Sequence, residues 1–87
     1  MWDSRPNAVF TFETPRQALA AEEVLRRARI QYREIPPPEE AEAGCAVAVR
    51  IRLNAMYRAI EALATDNAEW LAVYQVGDDQ KVTKKLG

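Results

Sequence analysis

The chain has 87 residues, 48% of them hydrophobic and 29% charged, and its 12 basic and 13 acidic side chains leave a net charge of −1 at pH 7. This length suits one small domain with a single core, and the balanced charge excludes a strongly polyanion-binding surface. One cysteine and no histidine exclude an internal disulfide, a metal site built from cysteine and histidine, and catalysis by imidazole.

The N-terminal sequence predicts no export signal. Residues 1–7 lack the basic start and the apolar run of a signal peptide, and no apolar stretch reaches membrane-spanning length. We therefore expect a cytoplasmic protein that has no membrane contact and keeps its thiol reduced. The expected organisation is a flexible N-terminus over residues 1–7, one domain over residues 8–76 and a flexible C-terminal tail over residues 77–87.

The first predicted elements are a strand and a helix. Residues 8–12 alternate like a strand that buries its two phenylalanines on one side. Thr14 and Gln17 then have the spacing of a capping box, and Pro15 suits the first helical position. The helix is predicted to continue to about residue 28. Its expected inner face consists of Ala18, Ala21, Val24, Leu25 and Ala28. The residues expected mostly outside are Glu22, Glu23, Arg26 and Arg27.

Three further strands and one helix are predicted in the rest of the domain. Residues 30–35 form a strand that the prolines at 36–38 end, because proline donates no ladder hydrogen bond. Residues 46–53 have the clearest alternation, which predicts one face on the core and one face in solvent. A second helix is expected over residues 54–65, and the last strand over residues 70–76.

The order of these elements predicts the fold. Strand, helix, strand, strand, helix, strand is the βαββαβ order of the α+β ferredoxin-like two-layer sandwich, a four-stranded antiparallel sheet with two helices on one face. The expected strand order is 4-1-3-2. In this topology the start of the third strand meets the start of the first helix at one edge of the sheet. We therefore expect Cys45 near the helix N-terminus formed by Thr14, Pro15 and Arg16.

Cys45 is the candidate functional residue because it is the only thiol and stands just where the third strand begins. A helix N-terminus favours a thiolate, and Arg16 adds positive charge, whereas the carboxylates of Glu39, Glu40 and Glu42 disfavour it. Cys45 also has the parity of the residues that face the core from its strand. A buried thiol with a purely structural role therefore remains an alternative.

The chain resembles the selenium/sulfur carrier protein-like family in four segments between residue 8 and about residue 76. These segments are Ala8-Val9-Phe10-Thr11-Phe12, Ala18-Leu19-Ala20-Ala21-Glu22, Glu34-Ile35-Pro36-Pro37-Pro38 and Gly44-Cys45-Ala46-Val47-Ala48-Val49-Arg50. The resemblance implies that Cys45 holds sulfur or selenium as a persulfide or selenosulfide and passes it to a partner enzyme. The implied partners are therefore donor and acceptor proteins for sulfur or selenium.

The loop positions around the thiol are Pro36, Pro38, Gly44 and Ala46. The chain departs from the family pattern at two places, with Glu39 where a basic residue is usual and Ala46 where a glycine is usual. Both departures reduce the expected activation of the thiol, because one removes a positive charge and the other removes backbone freedom.

The sequence also leaves open a second class of function, a non-catalytic interaction or homodimerisation module in which Cys45 is structural. Val9, Ala46 and Ala48 would make the uncovered face of the sheet partly apolar, as a docking surface requires. An enzyme with its own turnover is not expected, because the chain has three glycines, no histidine and no phosphate-binding motif. Nucleic acid is not expected as a partner, since the sheet lacks the exposed aromatics of RNA-recognition domains. A metal and a cofactor are not expected either, because the chain has one cysteine, no histidine and no phosphate-binding motif.

Overall fold

The computed structural model describes residues 6–37, 47–77 and 82–86. The strands are β1 (Asn7–Phe12), β2 (Arg33–Ile35), β3 (Val47–Arg52), β4 (Ala72–Val76) and β5 (Val82–Lys85). The helices are α1 (Pro15–Arg27) and α2 (Met56–Thr65), and a 3-10 turn, Leu53–Ala55, precedes α2. Within these ranges, neither helix has the length and apolar character needed to cross a membrane.

All strands belong to one antiparallel sheet with the order β2-β3-β1-β4-β5. The first four strands therefore have the predicted order, and the α+β ferredoxin-like sandwich is confirmed. β1 lies at the centre, where Phe10 is opposite Val49 of β3 on one side and Val73 of β4 on the other. Both helices pack on the face that carries these three residues.

The fifth strand corrects the prediction of a tail over residues 77–87. β5 pairs with β4, with an irregularity in register at Gln75 and Val76, and the Leu86 N–H donates to the Val73 carbonyl oxygen at 2.6 Å. The sequence of β5, Val-Thr-Lys-Lys, has no apolar alternation, so it carried no strand pattern. Lysines are nevertheless common on edge strands, where charge prevents pairing with other chains.

The core between the sheet and the helices is formed mainly by aliphatic residues and two phenylalanines. Its most fully buried large side chains are Phe10, Phe12, Leu25, Val49, Ile51 and Leu63. Trp70, which lies just before β4, packs edge to face against Phe10 with ring centroids 5.8 Å apart. The edge-to-face contact adds about 0.5–1.5 kcal/mol to the burial of these rings, so β1 and the approach to β4 are fixed to one another.

The start of α1 has the predicted cap. Thr14 is extended, and its hydroxyl oxygen accepts a hydrogen bond from the Gln17 N–H at 3.2 Å. The Gln17 side-chain oxygen accepts from the N–H of Glu13 at 3.0 Å, one residue earlier than in a standard capping box. Pro15 is the first helical residue, where its missing N–H costs no hydrogen bond.

Both helices end in the same left-handed turn. Arg29 has φ 60° and Asn67 has φ 56°. The N–H of the next residue, Ile30 or Ala68, bonds back to a carbonyl of the last helical turn at 2.9 Å in each case. This is the Schellman motif, usually made with glycine, and here an arginine occupies the left-handed position of the first one.

This turn explains why β2 is shorter than predicted. The sequence assigned residues 30–35 to the strand, but Ile30 is used to close the helix end and is 4% exposed in the core. Pairing with β3 begins only at Arg33. The local pattern could not separate a buried helix-closing residue from a buried strand residue, because both are apolar.

On the face of the sheet away from the helices, the residues of the central strands are also buried, which corrects the expectation that Val9 and Ala48 form an apolar docking surface. Val9 is 1% exposed and Ala48 is 0% exposed, and together with Val76 they form a second small core cluster. Tyr74 and Thr11 on the same face are buried too. In the single chain this face therefore offers no free apolar patch at Val9 and Ala48 for a second copy.

We predict that Thr14→Ala lowers the free energy of unfolding by about 1 kcal/mol, because the N–H of Gln17 loses its acceptor at the start of α1. Thr14→Ser keeps a hydroxyl at the cap and should stay within about 0.5 kcal/mol of the unsubstituted protein. Urea denaturation followed by far-ultraviolet circular dichroism measures both changes. Equal stability of the alanine and serine variants would contradict the role of this cap.

Candidate functional site

Several chain segments meet at one end of the sheet, which we call the Val47 edge. Phe12, the last residue of β1, is opposite Val47, the first residue of β3, and Ile35, the last residue of β2, is opposite Ala48. The first helical residue, Pro15, follows Phe12 by three positions. The predicted meeting of strand ends and helix start is therefore confirmed for the described residues.

The structure describes only part of the predicted site. At the Val47 edge it contains Thr14 as the cap of α1, Pro15 as the first helical residue and Arg16, which is exposed. Pro36 follows β2 directly and is exposed. The other predicted site residues lie outside the described residues: Pro38, Gly44, Cys45 and Ala46. The three glutamates of the loop, Glu39, Glu40 and Glu42, lie outside them as well.

The start of α1 is positively polarised. Its first turn contains no acidic residue, and the Arg16 side chain has no ion pair among the residues described. Thr14 satisfies the N–H of Gln17, whereas the backbone N–H of Arg16 has no acceptor within the same part of the chain. A free N–H, a guanidinium and the positive end of the helix dipole all favour negative charge at this edge.

A carboxyl pair lies between α1 and β2, and the sequence analysis missed it. Glu22 is only 9% exposed, and the side chain of Glu34 is its acidic neighbour. Burial is the main cause that raises the pKa of Glu22 above its ordinary value of about 4.5. The neighbouring carboxyl group of Glu34 raises it further, while the nearby positive charge of Arg26 lowers it.

The sequence did contain a signal for the burial of Glu22. The inner face of α1 carries Ala18, Ala21 and Leu25, and position 22 completes the spacing i, i+3, i+4, i+7 of a buried stripe. The charge of glutamate led to its assignment outside, although the helical geometry turns it inward. The expectation that Glu22 faces solvent was therefore wrong.

Two arginines face each other across β2 and β3. Arg33 is directly opposite Arg50, on the sheet face that lies away from the helices. Burial and, second to it, the positive charge of Arg33 lower the pKa of Arg50 below its ordinary value. Within residues 6–37, 47–77 and 82–86, no group of three acidic, cysteine or histidine side chains could hold a metal ion.

Comparison with known proteins identifies one family. The sequence model of the family described as Putative Se/S carrier protein-like matches residues 7–75, which is well over half of the chain. Searches of curated proteins and of solved structures found no match. The matched stretch begins at the first residue of β1 and ends within β4, so it covers the four strands and both helices of the predicted sandwich.

We predict that stability falls as pH rises through the raised pKa of Glu22, because the folded protein holds this proton more tightly than the unfolded chain. Below pH 4.5 the carboxyl of Glu22 is mostly protonated in both the folded protein and the unfolded chain. Its burial then carries no cost from a negative charge. Glu22→Gln should therefore raise the free energy of unfolding near pH 7 by about 0.5–1 kcal/mol and lose this advantage near pH 4.

Urea denaturation at a series of pH values measures this difference. The matched control is Glu23→Gln on the same helix, because Glu23 is exposed and paired with Arg26 at 3.3 Å. That substitution should change stability by less than about 0.5 kcal/mol. A gain from Glu22→Gln that is equal at pH 4 and pH 7 would show that burial of the carboxylate charge is not its cause.

Proposed function

The chain belongs to the Putative Se/S carrier protein-like family, and from this membership we propose that Cys45 carries a sulfur or selenium atom and passes it to a partner protein. One observation carries the proposal: the residues matched by the family, 7–75, contain the only cysteine of the chain. No other side chain in the sequence supplies a soft nucleophile that forms a persulfide.

Chain connectivity supports a position for the thiol near the start of α1. Cys45 is two residues from Val47, and two successive Cα–Cα steps of 3.80 Å span at most about 7 Å. Val47 is itself opposite Phe12, two residues before the helix cap Thr14. Chain connectivity therefore keeps the Cα of Cys45 within about 7 Å of the Cα of Val47. Val47 lies at the same edge as the free N–H and the guanidinium of Arg16.

The proposed reaction is a sulfur transfer in two displacements. The Cys45 thiolate attacks the terminal sulfur of a donor persulfide, forms a new S–S bond and releases the donor as a thiolate. An acceptor thiolate then attacks the terminal sulfur held by Cys45, and Cys45 leaves as a thiolate. Electrons balance within each step, so no external oxidant or reductant is consumed. Selenium follows the same route with a terminal selenium atom.

This chemistry requires a thiolate but no histidine. A thiol attacks best when its pKa is near the ambient pH, since a lower pKa also reduces nucleophilicity. Positive charge beside a thiol lowers its pKa, and carboxylates beside it raise that pKa. We propose that Arg16 keeps this balance on the side of the thiolate. A reducing compartment such as the cytoplasm is part of the proposal, because it keeps the free thiols of Cys45 and of its partners from being lost to stable disulfides.

We predict that glutathione persulfide adds one sulfur atom to the full chain, measured as intact mass without reductant. The added mass should disappear with dithiothreitol, because the S–S bond is reduced, and with excess thiol, which accepts the sulfur. Cys45→Ser should never gain it, and its circular dichroism spectrum serves as the folding control. A folded protein with a reduced Cys45 that gains no sulfur would overturn the carrier function.

We predict that Arg16→Gln shifts the pH midpoint of iodoacetamide labelling of Cys45 upward by less than about one pH unit, because a positive charge near the thiolate is lost. Arg26→Gln removes an equal charge from the other end of the same helix and should leave the midpoint unchanged. A labelling reaction that requires denaturant would support the structural role of a buried thiol. An unchanged midpoint in Arg16→Gln would remove Arg16 from the site.

A further inference from the structure

We propose a second binding site, a three-arginine cavity that takes a small phosphate-type oxyanion. The cavity has a volume of about 180 Å³ and lies between the end of α1, the end of β3 and the start of α2. Each of these elements contributes one arginine to its lining, namely Arg29, Arg52 and Arg58. The same wall carries the amide side chains of Gln31 and Asn54.

Among the residues that the structure describes, no side chain of the cavity wall neutralises the charges of Arg29 and Arg58. No carboxylate is among the lining residues that the structure describes. Arg29 and Arg58 form no ion pair there, whereas Arg26 and Arg27 on α1 pair with Glu23 and Asp66. Like charges around one small space repel each other, and a bound anion would convert this repulsion into attraction.

The three arginines are held by well-defined backbone. Arg29 is the left-handed residue of the turn that closes α1, with two hydrogen bonds on its flanks. Arg52 is the last residue of β3, where it is opposite Asn7 of the central strand. Arg58 lies in the first turn of α2. All three arginines therefore belong to a helix, a strand or a hydrogen-bonded turn, and none belongs to a long loop.

The start of α2 adds positive polarisation to that of the arginines. Ala55, which also lines the cavity, precedes α2, and neither it nor any other side chain caps the start of that helix. The first turn of α2 contains no acidic residue. The guanidinium groups supply the charge, and the start of α2, next to Ala55, adds the positive end of the helix dipole.

The volume of the cavity defines the class of ligand. At about 180 Å³ it is smaller than the roughly 300–1,000 Å³ of pockets for drug-sized molecules. One tetrahedral oxyanion fits this size, whereas a nucleotide does not. The planar fork of arginine donates paired hydrogen bonds to phosphate oxygens. The cavity therefore suits inorganic phosphate or the phosphate group of a small monoester.

This site is distinct from the proposed thiol site. Val47 and Arg52 are the two ends of β3, and five residue steps along the strand place their backbones about 17 Å apart. A ligand in the arginine cavity is thus too far away to react with a thiol at the Val47 edge. Anion binding here does not depend on the carrier function, and either proposal can fail without the other.

The test is a titration of the full chain with sodium phosphate at constant ionic strength, with sodium chloride replaced stepwise. Amide resonances are followed by heteronuclear NMR. We expect saturable shifts confined to the cavity, at Ile30, Gln31, Asn54 and Ala55, with a dissociation constant on the order of 1 mM. A parallel titration with glycerol phosphate distinguishes the sources: tighter binding of the monoester assigns a small phosphorylated molecule, and equal or weaker binding assigns free phosphate.

Two variants test the role of the arginines. Arg58→Gln removes one guanidinium, and Arg29→Asn removes another while keeping a residue that tolerates positive φ. Each should weaken phosphate binding by about tenfold. Arg16→Gln removes an exposed, unpaired arginine at the Val47 edge and should leave binding unchanged.

The spectrum of each variant shows whether it is folded. Three results would overturn the proposal: shifts that do not saturate, equal shifts with chloride, or equal loss of binding in Arg16→Gln. Saturable binding that persists in both Arg29→Asn and Arg58→Gln would also exclude the arginine cavity as its location.

Discussion

The rest of the structure depends on the burial of strand β1 on both of its faces. All six of its residues are buried, and the strand pairs with β3 on one side and β4 on the other. Phe10 and Phe12 pack under the helices, while Val9 packs in the smaller cluster on the opposite face. Because a shift of one residue would exchange these two sets, the register of β1 is strongly specified.

The fixed register of β1 also fixes the two ends of β3. At one end, Val47 lies beside the strand that leads into α1, and the short tether to Cys45 begins there. At the other end, Arg52 meets the start of α2 and the turn that closes α1. The ferredoxin-like topology thus gives two positively polarised helix starts at opposite ends of one strand. This separation puts the proposed thiol chemistry and the proposed anion site at opposite ends of β3.

Much of the fold was predictable because several elements carry strong local signals. The cap at Thr14 and the alternation around Val49 depend on neighbours within a few residues, and both are confirmed. The same local reasoning missed β5, whose pairing depends on β4 and not on its own composition. It also placed Glu22 in solvent, although the helix carries it between two layers and next to Glu34. Those outcomes require contacts between residues far apart in the chain.

The sequence by itself determined the class of fold, the family and the single thiol, because each depends on residue order or residue identity. Only the tertiary structure decided that the central strand β1 is buried on both faces and that Arg29, Arg52 and Arg58 line one cavity. In the sequence these three arginines are ordinary surface cations at separations of 23 and 6 residues. The antiparallel pairing of β3 with β1 and the left-handed turn at Arg29 bring the three arginines to one cavity. Neither feature has a local sequence pattern that shows which distant residues it brings into contact.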